Sequence, residues 1–237
     1  MSDSIVGIDI GSGVIRAAEV SGTLKAKPTL VRYHSVPLPA GAANIGEVIE
    51  PSTVSQVVKQ LWSQAGFKTK KVVLGVGNQR VLVRDFAVPM MPVDRIKESL
   101  AFQAQEQLPL PVADALLDFY PISEGVGENG PLINGLLIAA VKEAVLTNVR
   151  SVEAAGLEPV EVDLIPFALT RTLIHGETAR GTTAMVEVGA STSTIVVARD
   201  GVPVFVRIIQ NGSDEVNKAL VQQLGMTPEQ AEQTKRG

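Results

Sequence analysis

One pattern occurs twice in this chain, and it restricts the fold more than any other feature. Residues 5–20 read Ile-Val-Gly-Ile-Asp-Ile-Gly-Ser-Gly-Val-Ile-Arg-Ala-Ala-Glu-Val, and residues 184–197 read Ala-Met-Val-Glu-Val-Gly-Ala-Ser-Thr-Ser-Thr-Ile-Val-Val. Each is an apolar strand, an acid, an aliphatic residue, a glycine, a small polar turn and a second apolar strand. Laid over one another, Glu187 falls on Asp9, Val188 on Ile10, Gly189 on Gly11 and Ala190 on Ser12. Similarity at so long an interval points to two related domains rather than a short-period solenoid.

The chemistry of the pattern is that of an anion site. Gly11 and Gly13 permit turn angles that a Cβ would forbid and let a ligand approach the backbone closely. Successive N–H groups in such a turn form a concavity suited to phosphate. Ser12 adds a hydroxyl, Arg16 a cation, and Asp9 a carboxylate at the strand end. The second copy offers Gly189, Ala190, Ser191 and Thr192 in the same places. Phosphate beside a carboxylate suggests a magnesium nucleotide, since Mg²⁺ takes oxygen ligands and keeps waters. Taken alone, either copy reads as an ordinary hairpin. Neither is a Walker A loop, because no Gly-Lys-Ser/Thr follows, nor a Rossmann fingerprint, because a strand rather than a helix comes next.

Composition narrows the class. At 237 residues the chain is long enough for two small domains. The formal net charge of −4 argues against a nucleic-acid binder, and no Lys/Arg run offsets it. There are no cysteines, hence no disulfide and no thiolate metal site. His34 and His175 are far apart and read as surface or satisfied residues rather than ligands. No secretory signal pattern precedes the first strand. No apolar run approaches the roughly 20 residues of a spanning helix, so direct membrane insertion is not expected.

Along the chain, a third strand is expected over 30–36 and a helix from Pro51, whose face carries Val54, Val57, Val58 and Leu61 and which ends at Gly66. A strand follows over 72–76. Residues 81–84 read as a hairpin arm or edge strand. Pro89 and Pro92 mark the edge of an insertion. It is expected to contain a helix from Asp94, a strand over 116–122, a loose turn over 125–130, a strand over 132–141 and a helix over 142–155. Core packing is the expected role for most of Met90, Met91, Ile96, Leu100 and Phe102, with partner contact as the alternative. A strand over 160–164 and a helix over 166–173 lead to a polar crossing at 175–182. The second copy then continues into a third strand over 202–209. Asn211-Gly212-Ser213 opens a helix whose N-terminus is a further candidate phosphate contact, through Gly212 and Ser213. Thr227 caps a last helix, followed by Pro228.

The order and spacing of several segments resemble the actin/Hsp70/sugar-kinase ATPase superfamily. They are Gly7-Ile8-Asp9-Ile10-Gly11-Ser12, residues 76–84, Gln107-Leu108-Pro109, residues 162–171 and residues 231–235. Within the superfamily the chain is similar to the PilM family of type IV pilus assembly proteins, relatives of the cell-division protein FtsA. The resemblance implies an α/β, actin-like (ribonuclease H-like) fold of two related domains with an inserted α+β subdomain called 1C. The expected divisions are 1–87 for the first part of domain 1, 88–158 for 1C, 159–180 for the return and hinge, and 181–237 for domain 2. It implies ATP and Mg²⁺ as cofactors, with Asp9 and Glu187 at the metal and the reacting phosphate. Glu232 and Lys235 would reach the ribose and adenine, where the residues alone suggest a solvated helix face. It also implies a groove for the short cytoplasmic N-terminal tail of PilN, at Asn78, Val81 and Arg84. Other inner-membrane pilus components would be further partners, self-association is open, and the protein would sit at the inner membrane through a partner.

Two departures bear on activity. Glu187 stands where many relatives have aspartate, which puts efficient hydrolysis in doubt. The chain also stops at Gly237, before the family's glycine-rich adenosine loop. Domain 2 is therefore expected to be incomplete, with exposed apolar edges and weak or absent nucleotide binding by this chain alone. The competing readings are a small-molecule kinase, with Asp85 or Asp94 as base, and an FtsA-like membrane-tethered polymer. The nucleotide-dependent scaffold fits residues 78–84 and the insertion best.

Overall fold

The computed structural model describes residues 4–25 and 27–237. The first hairpin forms as its alternation predicts. β1 (Ser4–Ile10) and β2 (Val14–Ser21) pair antiparallel, with Asp9 opposite Arg16. β3 (Thr29–Pro37) adds to β2. A two-residue ladder, β4 (Ala43–Asn44) with β5 (Glu47–Val48), leads into helix α1 (Pro51–Ala65). Pro51 opens α1, and Gly66 closes it in the left-handed region, donating its N–H to the Trp62 carbonyl at 3.0 Å. β6 (Lys71–Val76) then lies parallel to β1.

The insertion follows. β7 (Val81–Pro89), α2 (Val93–Ala104), β8 (Ala115–Gly127) and β9 (Gly130–Val141) build a three-stranded sheet in the order β7-β9-β8. Two expectations change here. β7 pairs along its whole length with β9, so the strand placed partly in domain 1 belongs to the inserted sheet from Val81 onward. The loose turn shrinks to residues 128–129, because Val126 and Gly127 still pair with Pro131 and Gly130.

Helix α3 (Lys142–Glu153) also changes allegiance. It packs beside α1, and its Val152 enters the core with Val54, Val58, Leu61, Val6, Ile8 and Leu74. Its apolar face packs mainly on domain 1, while Val145 also joins Val81 and Ala140 of the inserted sheet. β10 (Glu158–Leu164) completes a five-stranded sheet in the order β10-β6-β1-β2-β3. The short helix α4 (Ile165–Leu173) and a 3-10 turn over Gly176–Ala179 cross to the second domain.

There β11 (Thr182–Val188), β12 (Ser193–Arg199) and β13 (Val202–Ile209) form an antiparallel sheet in chain order. α5 (Asp214–Leu224) and α6 (Pro228–Arg236) follow, and Thr227 caps α6 by accepting the Gln230 N–H at 3.3 Å, as expected. Val186 and Val188 on the edge strand β11 are each 61% exposed.

The inserted sheet is covered on both faces. Ile96 and Leu100 of α2 pack on Phe86, Val88, Phe119 and Leu137, so these α2 residues are core. Phe102, on the same helix, is 84% exposed. On the other face Leu136 is buried with Val196 and Val206 of domain 2, and Tyr120 stacks near Phe167 of α4 with ring centroids 5.0 Å apart. The 1C sheet therefore bridges to the second domain through an apolar contact.

Candidate functional site

The two glycine turns face one another across a single cleft. Each is closed the same way. The Gly11 N–H donates to the Val14 carbonyl at 3.0 Å, and the Gly189 N–H to the Thr192 carbonyl at 2.8 Å. Among the described residues, no backbone hydrogen bond takes up the N–H groups of Ser12, Gly13, Ala190 or Ser191. Two short runs of such donors at the ends of two strands form a concavity of the kind that takes an anion. The turns also meet: the Ser12 and Ser191 hydroxyls lie 2.6 Å apart.

The cleft holds about 990 Å³ and is lined by residues 7–14, Arg16, Glu187, residues 188–192, Ser213, Glu232 and Lys235, among others. Its acids are arranged unequally. Asp9 is paired with Arg16 at 3.1 Å, and both remain open to solvent. Glu187 is half-buried; burial and then the nearby Asp9 charge push its carboxyl above the usual carboxylate range, with Arg16 opposing. Two carboxylates facing one space favour a cation between them. Among the described residues no group of three or more His, Cys, Asp or Glu gathers to hold a metal. A metal here would rest on two carboxylates, waters and phosphate oxygens, a set that suits Mg²⁺.

Gly212 and Ser213 were expected to offer helix N–H groups to a phosphate. The structure commits the Ser213 donor, and that of Asp214 after it, elsewhere. Ser213 donates to the Gly189 carbonyl and Asp214 to the Ala190 carbonyl, each at 2.9 Å. A Cβ on Gly212 would come within 2.3 Å of the Ala190 oxygen, so only glycine lets this segment lie against the second turn. The start of α5 buttresses the turn. At the far wall, Glu232 pairs with Lys235 at 2.6 Å and accepts from Asn217 and Arg236, each at 2.6 Å. These partners hold its carboxyl down to about 2.

Behind the first turn lies a support that the sequence did not reveal. Ile45, at a positive φ of 52°, donates its N–H to the Ser12 hydroxyl at 3.3 Å. The β4–β5 ladder is pinned by buried Asn148 of α3, which accepts from the Val48 N–H at 3.1 Å and donates to the Gly46 carbonyl at 3.3 Å. Asp163, at the β10 end of the cleft and ion-paired with Arg171, was likewise not foreseen as a lining residue. Only the register of β10 on β6, which places Asp163 opposite Gly75, brings it there.

The residues expected at a peptide groove divide. Asn78 is 1% exposed, and its Oδ1 accepts the Arg80 N–H at 2.9 Å, so it shapes the turn into β7 rather than facing a partner. Val81 is buried against Val76, Ala140, Val145 and Leu164. Arg84 is exposed and donates to the Gln107 carbonyl at 2.9 Å. Beside it opens a second depression of about 440 Å³, lined by Asp85, Phe86, Ala87, Gln107, Asn134 and, from domain 2, Val204. Of the two acids weighed as a kinase base, Asp85 lines this depression and Asp94 opens α2; neither lines the cleft between the turns.

The sequence profile of the family described as type IV pilus assembly protein PilM matches residues 7–237. The chain belongs to this family. A solved PilM–PilN type IV pilus biogenesis complex matches this PilM family member with a TM-score of 0.85 at 28% identity, over 98% of this chain and 69% of that one. The cell division protein FtsA of Bacillus subtilis (strain 168) is 22% identical over 221 residues, covering 84% of this chain and 50% of FtsA. MreB5 of Spiroplasma citri bound to ADP matches with a TM-score of 0.51 at 11% identity, over 98% of this chain and 61% of MreB5. The chain thus spans half the length of the curated relative it matches. The fold of this PilM family member is that of the actin-like ATPases. No described helix is long and apolar enough to cross a membrane.

Proposed function

We propose that this PilM family member is a nucleotide-dependent scaffold of type IV pilus assembly that presents a groove to the cytoplasmic N-terminal tail of PilN at the inner membrane. The observation that carries the reading is the pair of like glycine turns, with free N–H donors, facing across one cleft in which Asp9 and Glu187 stand at the strand ends beside them. Gly11, Ser12, Gly13 and Arg16 would hold the phosphates from one side, and Gly189, Ala190, Ser191 and Thr192 from the other. Gly212 and Ser213 would stiffen the second turn. Glu232 and Lys235 would stand near the sugar and base. Asp9 and Glu187 would hold Mg²⁺, which would offset the phosphate charge of ATP. The extra methylene of Glu187 suits a water-bridged metal, hence at most slow hydrolysis. The ADP of MreB5 supports nucleotide as the ligand class.

For the partner, Arg84 and the adjoining depression would take an extended peptide, with Asn78 and Val81 holding the strand that presents them. The solved PilM–PilN complex supports PilN as that partner. Because Val204 of domain 2 lines the same depression, a change in the cleft would alter the groove.

Calorimetric titration tests both halves. Mg-ATP should bind the chain weakly, and a PilN-tail peptide should bind more tightly in its presence. Arg84→Ala should weaken the peptide and leave ATP unchanged. Equal peptide affinity in that variant removes the groove assignment.

A further inference from the structure

The pole of domain 1 opposite the cleft gathers charge that no sequence run displays. The strands of the first sheet carry the chain from this pole to the glycine turn, about 20 Å away at roughly 3.3 Å per residue. At the pole, Ser4 of β1 lies opposite Ser21 of β2, which lies opposite Thr29 of β3, and β6 begins beside β1 at Lys71. Register thus brings together the turn between β2 and β3, with Lys25 and Lys27, and the loop before β6, with Lys68, Lys70 and Lys71. All five lysines are exposed, and none joins an ion pair among the described residues. Among the described residues the acids at this end are Glu158, opposite Lys71 in register, Glu153 at the end of α3, and Glu19, which is buried and paired with Arg32 at 2.8 Å. The pole is therefore positive in a chain of net charge −4.

The described residues of both loops make defined contacts. The Lys25 N–H donates to the Gly22 carbonyl at 2.9 Å, closing a turn with Thr23 and Leu24 at its corner. Gly22 sits at φ +65°, and the Lys25 stem folds over it. Leu24 is consequently held outward, 94% exposed. The lysine loop is fastened by Trp62, whose indole N–H donates to the Thr69 carbonyl at 3.0 Å and whose ring packs on Phe67.

We propose that this pole docks on an anionic bilayer surface, with Leu24 at the headgroup layer and the five lysines around it. A single exposed leucine is ordinary; one held at the tip of a turn among unpaired lysines is arranged for a surface that is charged outside and apolar beneath. The lysines spread across the end of a sheet instead of converging on one point, which fits a diffuse charged plane better than a single phosphate. The aromatics at the lysine loop, Trp62 and Phe67, pack on one another and offer no open platform for a nucleic-acid base. The docking is peripheral and electrostatic, so it weakens with salt.

Co-sedimentation of the 237-residue chain with vesicles tests this without any protein partner, so the outcome is independent of the groove and of nucleotide. Phosphatidylcholine vesicles containing phosphatidylglycerol should bind the chain, and phosphatidylcholine alone should not. Replacing Lys68, Lys70 and Lys71 by glutamine should lower the affinity about 100-fold, roughly five-fold for each lysine. Leu24→Ser should weaken binding with the charge unchanged, and Lys142→Gln, at the other end of α3, should leave it unaltered. No binding to anionic vesicles, binding indifferent to these lysines, or binding that ignores Leu24 and is matched by a DNA duplex would each overturn the proposal.

Discussion

The Ser12 hydroxyl lies 2.6 Å from the Ser191 hydroxyl, joining the two glycine turns across 179 positions of sequence. The turns are thus in contact, and a phosphate held between them would meet both hydroxyls. With no native cysteine in the chain, Ser12→Cys combined with Ser191→Cys reports this contact cleanly. The pair should form a disulfide under mild oxidation, seen as altered mobility on a non-reducing gel. Failure to cross-link would mean that the turns do not meet in solution.

Asp9 and Arg16 pair at 3.1 Å in the open cleft, so the carboxylate is accessible to a metal. Asp9→Ala should abolish magnesium-dependent nucleotide binding in calorimetry and leave the melting temperature nearly unchanged, because exposed pairs contribute only about 0–1 kcal/mol. Retained binding would remove the metal role.

Gly212 rests against the Ala190 carbonyl with no room for a methyl group. Gly212→Ala should destabilise the second domain by about 1–3 kcal/mol, the usual range for overpacking. It should also weaken nucleotide binding more than its own exposure to the cleft would suggest, by displacing the second turn. Denaturant melts and a parallel ATP titration check the two effects.

Arg32 fastens the end of α1 to the sheet. Its guanidinium donates to the Ala65 and Gly66 carbonyls at 3.1 and 2.7 Å and pairs at 2.8 Å with Glu19, whose side chain is 5% exposed. Arg32→Met leaves that carboxylate buried without a counter-charge and should cost about 3 kcal/mol in urea unfolding. Adding Glu19→Leu should recover a large part of the loss, since both charges are then gone.

Glu187 binds its proton more tightly in the folded chain than in the unfolded one, chiefly through burial and then through Asp9. Stability from this group is therefore present at low pH and falls as pH rises from the unfolded value of 4.5 through the raised folded one. Glu187→Gln should melt higher than the parent at neutral pH, with the difference vanishing below the unfolded value. A constant difference across pH would contradict the burial of this carboxyl beside Asp9.

The local patterns were legible in the sequence because they are short-range. The glycine turns, the Pro51 start and Gly66 stop of α1, and the Thr227 cap each declare themselves within a few residues. Allegiance was not legible. α3 has an amphipathic face that would suit either sheet, and only packing assigns Val152 to domain 1. β7 reads equally as a domain 1 arm and as a 1C strand until β9 pairs with it. The commitment of the Ser213 and Asp214 N–H groups to the second turn likewise depends on how α5 folds back. Support residues such as Ile45 and Asn148 carry no motif; they are found only through the bonds they make.

The insertion leaves and rejoins the body of the protein at one place. Val81 stands opposite Ala140, and the Val141 N–H donates to the Arg80 carbonyl at 3.2 Å. A cassette whose ends adjoin can be gained, lost or exchanged without redirecting β6 or α3. Partner choice can then diversify on the exposed parts of the cassette, while Leu136 and its neighbours must keep the apolar contact with Val196 and Val206 that ties it to domain 2.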